Sequence, residues 1–148
     1  MVYLPGVTST GGISVASSAV ITFSNIVQQA PGSLISLNTT NGNITIATTG
    51  FFQITFGAST ILTAIATTSN LFQLQLAGAS GTPYQTLDYQ GQISRLTYMS
   101  HLTTIVQITT NPTVLTAVNL LANTVLLNNT TQTTNGGPAA YITILQIR

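Results

Sequence analysis

The sequence predicts an all-β protein built as a sandwich of two antiparallel sheets. Three observations predict this fold: apolar and polar residues alternate with a period of two in successive runs, β-branched residues dominate those runs, and Gly, Pro and Asn separate them. The chain has no helix-capping residue followed by apolar residues at the helical period of about 3.6. Its 148 residues suffice for one domain of about eight to ten short strands.

The strands are predicted in chain order from the alternating runs. Ile44 and Ile46 alternate with polar residues in the first run, and Phe52, Ile54 and Phe56 do so in the second. The predicted strands cover residues 43–46, 52–56, 72–76, 102–108, 114–120, 125–127 and 141–147, and the predicted turns lie at 41–42, 49–50, 78, 81–83, 111–112 and 135–138.

The last predicted strand is apolar on both faces. Alternation places Ile142 and Ile144 on one face and Tyr141, Leu145 and Ile147 on the other. A strand that is apolar on both sides lies between two layers, so we expect one face to contact the domain's own core and the other to contact a second subunit. A loop that covers the outer face is the alternative.

Charge is nearly absent from the chain. Two arginines, one aspartate and one histidine are its only ionisable side chains apart from tyrosine, and 28 Thr, 12 Ser, 11 Asn and 11 Gln provide the polar surface. A basic groove for nucleic acid, a carboxylate cage for a metal and an active site with two carboxylates are therefore excluded. We expect no cofactor and no nucleic-acid partner.

The apolar content points to burial between subunits. A mean hydropathy of +0.45 and a hydrophobic content of 44% are high for a small monomer, whose surface per residue is large. The longest apolar stretch, residues 58–68, contains Thr and Ser and is shorter than the about 20 apolar residues of a spanning helix. We therefore expect association between subunits and no insertion into a membrane.

Three ionisable side chains fall within one stretch in the middle of the chain: Asp88, Arg95 and His101. With a neighbouring serine as nucleophile they would suit a hydrolase, but the Gly-x-Ser-x-Gly turn that such chemistry uses is absent, so we expect no catalysis. We expect Asp88 and Arg95 to pair across a turn near Gly91. An alternative is that Arg95 or His101 forms a polar contact between subunits or an anion site.

Three tyrosines, Tyr84, Tyr89 and Tyr98, bracket the same stretch. Neutral amides beside tyrosine rings suit weak carbohydrate recognition, because the rings stack on sugars and the amides bond their hydroxyls. Tyrosine is also common in strands, with its hydroxyl at the rim of the core. Both interpretations stay open for these three residues.

A family resemblance extends over most of the chain. Residues 18–60 contain an early strand with a Phe, an Asn-Gly turn, a short strand and a strand that starts with Gly50-Phe51-Phe52. This order resembles the front half of the domains shared by complement component C1q and tumour necrosis factor. Within that superfamily the chain is most similar to the C-terminal domains of collagen-like glycoproteins of the bacterial spore exosporium, through GGIS at 11–14, LFQLQLAG at 71–78, VQITTNPTVLTAVNLL at 106–121 and the closing AYITILQIR.

The resemblance implies a jelly roll of two sheets that assembles as a homotrimer, with its inner sheet on the threefold axis. The expected interface residues are Tyr141, Ile142, Ile144, Leu145 and Ile147. The resemblance also implies that residues 1–12 form a linker or stalk junction and that residues 13–148 form the head domain.

The function that the resemblance implies is structural. The head would align and display three chains at the tip of a collagen-like fibre on a spore or cell surface, without catalysis. The alternative is an adhesin or receptor-binding head that recognises a host glycan or protein, with the tyrosines and ionisable residues above as contacts. A surface-layer protein or a glycan is the expected external partner.

The charge count predicts tolerance of acid and of salt. Acid unfolding arises where native carboxylates must take up protons as the pH falls, and Asp88 is the only acidic side chain. We expect the fold to persist to about pH 2, and added salt to change its stability little because few charges exist to be screened. Thermal melting followed by circular dichroism at pH 7 and pH 2, each at low and high salt, checks this. A melting temperature that is lower by some tens of degrees at pH 2 than at pH 7 would contradict it.

Overall fold

The computed structural model describes residues 2–4, 13–26, 34–61, 69–91, 97–120, 124–127 and 139–147. Within these ranges the chain forms twelve β-strands and no helix, which confirms the all-β prediction; it follows that they include no helix able to cross a membrane. The strands are β1 (Val2–Leu4), β2 (Ile13–Val15), β3 (Asn25–Ile26), β4 (Ile35–Leu37), β5 (Ile44–Ile46), β6 (Gly50–Ile61), β7 (Ser69–Ala77), β8 (Pro83–Gly91), β9 (Thr97–Ile108), β10 (Thr113–Asn119), β11 (Val125–Leu127) and β12 (Ala140–Ile147).

The strands form two antiparallel sheets. The seven-stranded sheet has the order β2-β11-β6-β12-β1-β3. Its seventh strand, β9, pairs with the edge of β6 opposite to β11 and β12. The five-stranded sheet has the order β4-β5-β10-β7-β8. The long strands β6 and β12 lie side by side at the centre of the first sheet, and β10 and β7 do so in the second. This arrangement confirms the predicted sandwich, but the described residues form twelve strands and not the eight to ten expected, because strands of two or three residues such as β3 add to the long ones.

The core lies between the two sheets. Phe52, Ile54 and Phe56 of β6 are fully buried, and so are the three alternate apolar residues of β7 that begin with Phe72. The rings of Phe56 and Phe72 meet edge to face, with centroids 5.6 Å apart and an interplanar angle of 73°. Burial of each such side chain contributes roughly 1.5–3 kcal/mol, so the predicted alternation supplies the main stabilisation of the fold.

The strand β1 belongs to the seven-stranded sheet. Its Val2 lies opposite Ile142 and its Leu4 opposite Ala140 of β12. Residues 2–4 of the segment predicted as a linker, 1–12, therefore pair with a strand of the sandwich, while the division at residue 12 stays a prediction.

The predicted turn at residues 41–42 is present and is fixed by close packing. Gly42 has a φ of +76°, and a Cβ there would overlap the carbonyl oxygen of Ile21 and lie 2.7 Å from Cα of Thr22. Its N–H donates to the carbonyl of Asn38 at 2.9 Å, while the N–H of Asn43 donates to Oδ1 of Asn41 at 3.0 Å. Only glycine combines this φ with this close backbone approach.

Asn119 joins the end of β10 to the segment after β2. Its side chain is fully buried, and Nδ2 donates to the carbonyls of Val15 and Ala16, each at 3.0 Å. Its backbone N–H donates to Ala19, and its carbonyl accepts from Ser18, each at 2.9 Å. The segment without regular structure therefore has its polar groups satisfied at the edge of the core.

We expect Asn119→Leu to lower the free energy of unfolding by about 1–3 kcal/mol, because the carbonyl of Val15, in a buried bond, and that of Ala16, in a part-buried one, lose their donor while the side-chain volume is kept. Thr109→Ala, at an exposed position after β9, is the control and should change it by less than about 0.5 kcal/mol. Urea denaturation measures both. Equal effects of the two substitutions would show that the Asn119 bonds contribute little.

Candidate functional site

An apolar patch lies on the outer face of the seven-stranded sheet. It consists of Phe51, Ile105, Leu145 and Ile147, which are 52%, 64%, 59% and 38% exposed. Phe51 lies opposite Ile147, and Gln53 lies between Leu145 on one side and Ile105 on the other. The register of three neighbouring strands therefore gathers four large apolar side chains on one exposed surface, at the end of the sheet where β6 begins.

Hydroxyl groups border the apolar patch. Thr143, Thr55 and Thr103 lie side by side on β12, β6 and β9, and the hydroxyls of Thr55 and Thr103 are 3.0 Å apart in a hydrogen bond. These groups are neutral and partly satisfied by each other. A second surface can therefore cover them without desolvating a charge.

Tyr141 lies on the same outer face, two residues before Thr143 on β12. Its half-buried ring lies directly over Gly57 of β6, and a Cβ at Gly57 would overlap ring atoms of Tyr141. The position opposite Gly57 on β9 is His101. A glycine is required at residue 57 because the aromatic ring occupies the space of its side chain.

The predicted interface residues divide between the two faces of β12. Ile142 is fully buried and Ile144 is partly buried against the domain's own core, so neither reaches the outer face in this structure. Tyr141, Leu145 and Ile147 do lie on the outer face. Of the five residues predicted for an interface, these three are therefore the ones that lie on the outer face, and the interface itself stays a prediction.

Two members of the apolar patch are absent from the predicted set. Phe51 precedes the buried Phe52, and Ile105 interrupts the polar face of β9 between Thr103 and Gln107. An apolar residue in phase with polar neighbours is the signal that could have identified both, but only the strand register shows that they meet.

Asp88 lies on the exposed outer face of β8. Its carboxylate accepts a hydrogen bond from Nε2 of Gln73 at 2.6 Å, and Oε1 of Gln73 accepts one from Nε2 of Gln75 at 2.8 Å. The three side chains form a chain of bonds that crosses from β7 to β8. The predicted partner, Arg95, lies outside the described residues, so its pairing with Asp88 stays a prediction.

Tyr84 lies near the start of β8, beside a register shift in the pairing of β7 with β8. Its side chain is 41% exposed, and its hydroxyl is 2.9 Å from Oγ1 of the fully buried Thr113. Because the Thr113 hydroxyl donates to the carbonyl of Thr110 at 2.7 Å, the Tyr84 hydroxyl is the donor in this pair. The ring is therefore anchored at its polar end.

The other candidate residues are placed only by their backbone. Tyr89 lies in β8, and Tyr98 and His101 lie in β9; their side chains fall outside the described part of the structure. Among the side chains that the structure does describe, no three of the His, Cys, Asp and Glu type come together. The described surfaces offer apolar contact, neutral hydrogen bonding and one carboxylate.

Comparison with solved structures agrees with this arrangement. The chain superposes on the structure of Eiger TNF from S. frugiperda with a TM-score of 0.63, over 100% of this chain and 94% of that chain, at 11% sequence identity. The fold is a tumour necrosis factor-like jelly roll. No protein-family model and no curated protein sequence matches the chain. The similarity to exosporium domains remains a prediction.

We expect Gly57→Ala to displace the Tyr141 ring and to lower the free energy of unfolding by about 1–3 kcal/mol. In the background of Tyr141→Ala the same substitution should cost clearly less, because the space that Cβ needs is then free. Chemical denaturation of the two single variants and the double variant measures the coupling. Strictly additive effects would contradict the contact.

Proposed function

We propose that this jelly roll is a non-catalytic head domain that joins three copies of itself through the outer face of its seven-stranded sheet. The apolar patch is the observation that carries the proposal. Four large apolar side chains, each between 38% and 64% exposed, meet on the outer face of one sheet, at the end where β6 begins, and a soluble single chain usually presents polar groups on such a face.

The energetics favour self-association over exposure. Covering each half-exposed member of the patch contributes roughly 1 kcal/mol, and three copies supply twelve such side chains to set against the entropy lost on association. Thr55, Thr103 and Thr143 border the patch with neutral hydroxyls, so its closure does not require a buried ion pair. The resemblance stated above supplies the threefold symmetry.

The direction of β1 supports attachment of a stalk at the same end. The register of β1 is antiparallel to β12, with Leu4 at Ala140 and Val2 at Ile142. Followed towards its amino end, β1 therefore points to the end of β12 that carries Leu145 and Ile147. A stalk that precedes the head would therefore begin beside the patch, and in three assembled heads the three stalk chains would start near the shared axis.

The proposed biological role follows from this geometry. A collagen-like triple helix must start with three chains in register, and a head that trimerises at the stalk end supplies that alignment. We place such a fibre on a spore or cell surface, on the strength of the sequence resemblance. An adhesin head is the alternative; in it the outward-facing five-stranded sheet would contact the host.

Light scattering should give a mass about three times the 15.4 kDa of the chain at micromolar concentration. The variants Leu145→Gln and Ile105→Gln should lower this mass towards that of one chain, because they place amides in the apolar contact. Leu34→Gln is the matched control, since Leu34 is 56% exposed but precedes β4 of the other sheet. A monomeric parent protein, or dissociation by the control alone, would refute the proposal.

The stalk function has its own test. We expect a Gly-X-Y repeat fused before residue 2 to form a triple helix with the native head, and to do so poorly with the Leu145→Gln head. Circular dichroism of the collagen signal, with thermal melting, measures this. Equal triple-helix formation with both heads would contradict the proposed role in aligning the collagen chains, without contradicting the trimer itself.

A further inference from the structure

The loop between β4 and β5 contains a chemically labile pair of residues, Asn41-Gly42. We propose that Asn41 is a site of spontaneous modification, deamidation to aspartate or isoaspartate, and that the folded loop blocks the reaction until it opens. Asparagine is among the thermally labile side chains of proteins. A following glycine raises its reactivity, because glycine has no Cβ to hinder approach to its nitrogen and its backbone rotates freely.

The modification takes place in two steps that need no reagent except water. In the first step the backbone nitrogen of Gly42 attacks Cγ of Asn41. The new N–Cγ bond closes a cyclic imide, the Cγ–Nδ2 bond breaks, and the proton of the Gly42 nitrogen leaves with Nδ2 as ammonia. In the second step water adds to one ring carbonyl and the C–N bond at that carbonyl breaks. Opening at Cγ gives aspartate, and opening at the backbone carbonyl gives isoaspartate.

The closed loop has no room for the cyclic imide. The N–H of Gly42 donates to the carbonyl oxygen of Asn38, and the distance from nitrogen to oxygen is 2.9 Å. In the imide, Cγ of Asn41 takes the place of this hydrogen, about 1.4 Å from the nitrogen. It would then lie about 1.5 Å from the Asn38 oxygen, whereas non-bonded carbon and oxygen atoms stay about 3 Å or more apart. The ring can therefore form only after this hydrogen bond has opened.

Further hydrogen bonds keep the loop closed. Oδ1 of Asn41 accepts from the N–H of Asn43 at 3.0 Å, which holds the side chain that must react. Oδ1 of Asn38 accepts from the N–H of Thr40 at 2.9 Å. The N–H of Asn38 donates to the carbonyl of Asn43 at 2.8 Å and closes the base of the loop. The Gly42 bond therefore opens against several others, because all of them belong to the same loop.

Exclusion of water does not account for the protection. Residues 38–41 are exposed, whereas Gly42 is buried. Water and hydroxide therefore reach the side chain of Asn41 in the folded protein. The geometry of the closed loop limits the reaction instead, so the rate in the folded protein should follow the fraction of time for which the loop is open.

The two products differ in how they fit the loop. Aspartate restores the Gly42 N–H, and its carboxylate can accept from Asn43 as the amide does. Isoaspartate adds a main-chain carbon just before Gly42, where a Cβ would already overlap the carbonyl oxygen of Ile21 and lie 2.7 Å from Cα of Thr22. Isoaspartate should therefore hold the loop open and loosen β4, which lies at the edge of its sheet.

Incubation of the protein at pH 7, with and without guanidinium chloride, tests the proposal. The chain has no lysine, so trypsin cuts it only after Arg95 and leaves Asn41 and the other Asn-Gly pair, Asn135-Gly136, on separate peptides. Mass spectrometry of the two peptides gives the rate at each site, and electron-transfer fragmentation distinguishes aspartate from isoaspartate. We expect Asn41 to react at least about tenfold more slowly in the native protein than in guanidinium. Asn135, which lies outside the described residues, shows in guanidinium that the solution supports the reaction.

Hydrogen exchange of the Gly42 amide measures the opening of the loop independently. Exchange and ring closure both require the Gly42 N–H to leave the Asn38 carbonyl, so the protection of this amide should match the slowing of deamidation. Asn38→Ala removes the bond to Thr40 and should speed both processes in the native protein, but not in guanidinium. Ser36→Ala, at an exposed position of β4 outside the loop, is the control and should change neither. Circular dichroism of each variant shows that the fold is kept.

Three results would overturn the proposal. The first is an equal rate at Asn41 in the native protein and in guanidinium. The second is a protection of the Gly42 amide that differs from the slowing of deamidation by more than about tenfold. The third is faster exchange of Gly42 in Asn38→Ala without faster deamidation. None of these results depends on the number of chains that assemble, so the trimer stands or falls separately.

Discussion

The contact between β6 and β7 across the sandwich is the interaction on which the rest of the structure depends. Phe56 and Phe72 meet edge to face at its centre, and fully buried side chains continue on both strands. Because alternate residues of a strand point to opposite faces, fixing the inner set also fixes the outer set. The burial of Phe52 therefore places Phe51 outside, and the burial of Val106 does the same for Ile105.

Neutral hydrogen bonds take the structural role that ion pairs have in many surfaces. Thr55 pairs with Thr103 on the neighbouring strand, and Tyr84 pairs with Thr113 across one strand. The carboxylate of Asp88 is bonded by the neutral amide of Gln73. Such bonds act at short range and are not screened by salt as ion pairs are. The two outer faces are therefore distinguished by shape and apolar content more than by charge.

The long strands could be predicted from the sequence because their alternation extends over five or more residues and their side chains fill the core. The three-residue strands β5 and β11 were predictable as well, because they lie inside their sheets and bury both of their end residues. The strands β1 to β4 were not, since two or three residues show no clear period and β2, β3 and β4 lie at sheet edges. The strand β8 was missed because its residues, Pro83–Gly91, are mostly polar and form a sheet edge. Sequence alone also could not decide which face of β12 is the core face, so Ile142 and Ile144 were grouped with Leu145. The apolar patch depends on register between strands distant in the chain, which no local pattern contains.

The pairing of β1 with β12 has a mechanical consequence. In the proposed fibre, tension along the stalk enters the head at Val2 and acts parallel to the strands, where β1 is bonded to β12 on one side and to β3 on the other. Force in this direction loads the hydrogen bonds of both ladders together, whereas a perpendicular pull would open them one at a time. The load then passes to β12, the strand that carries Leu145 and Ile147, so a stretched fibre would be anchored in the same strand that holds the three heads together.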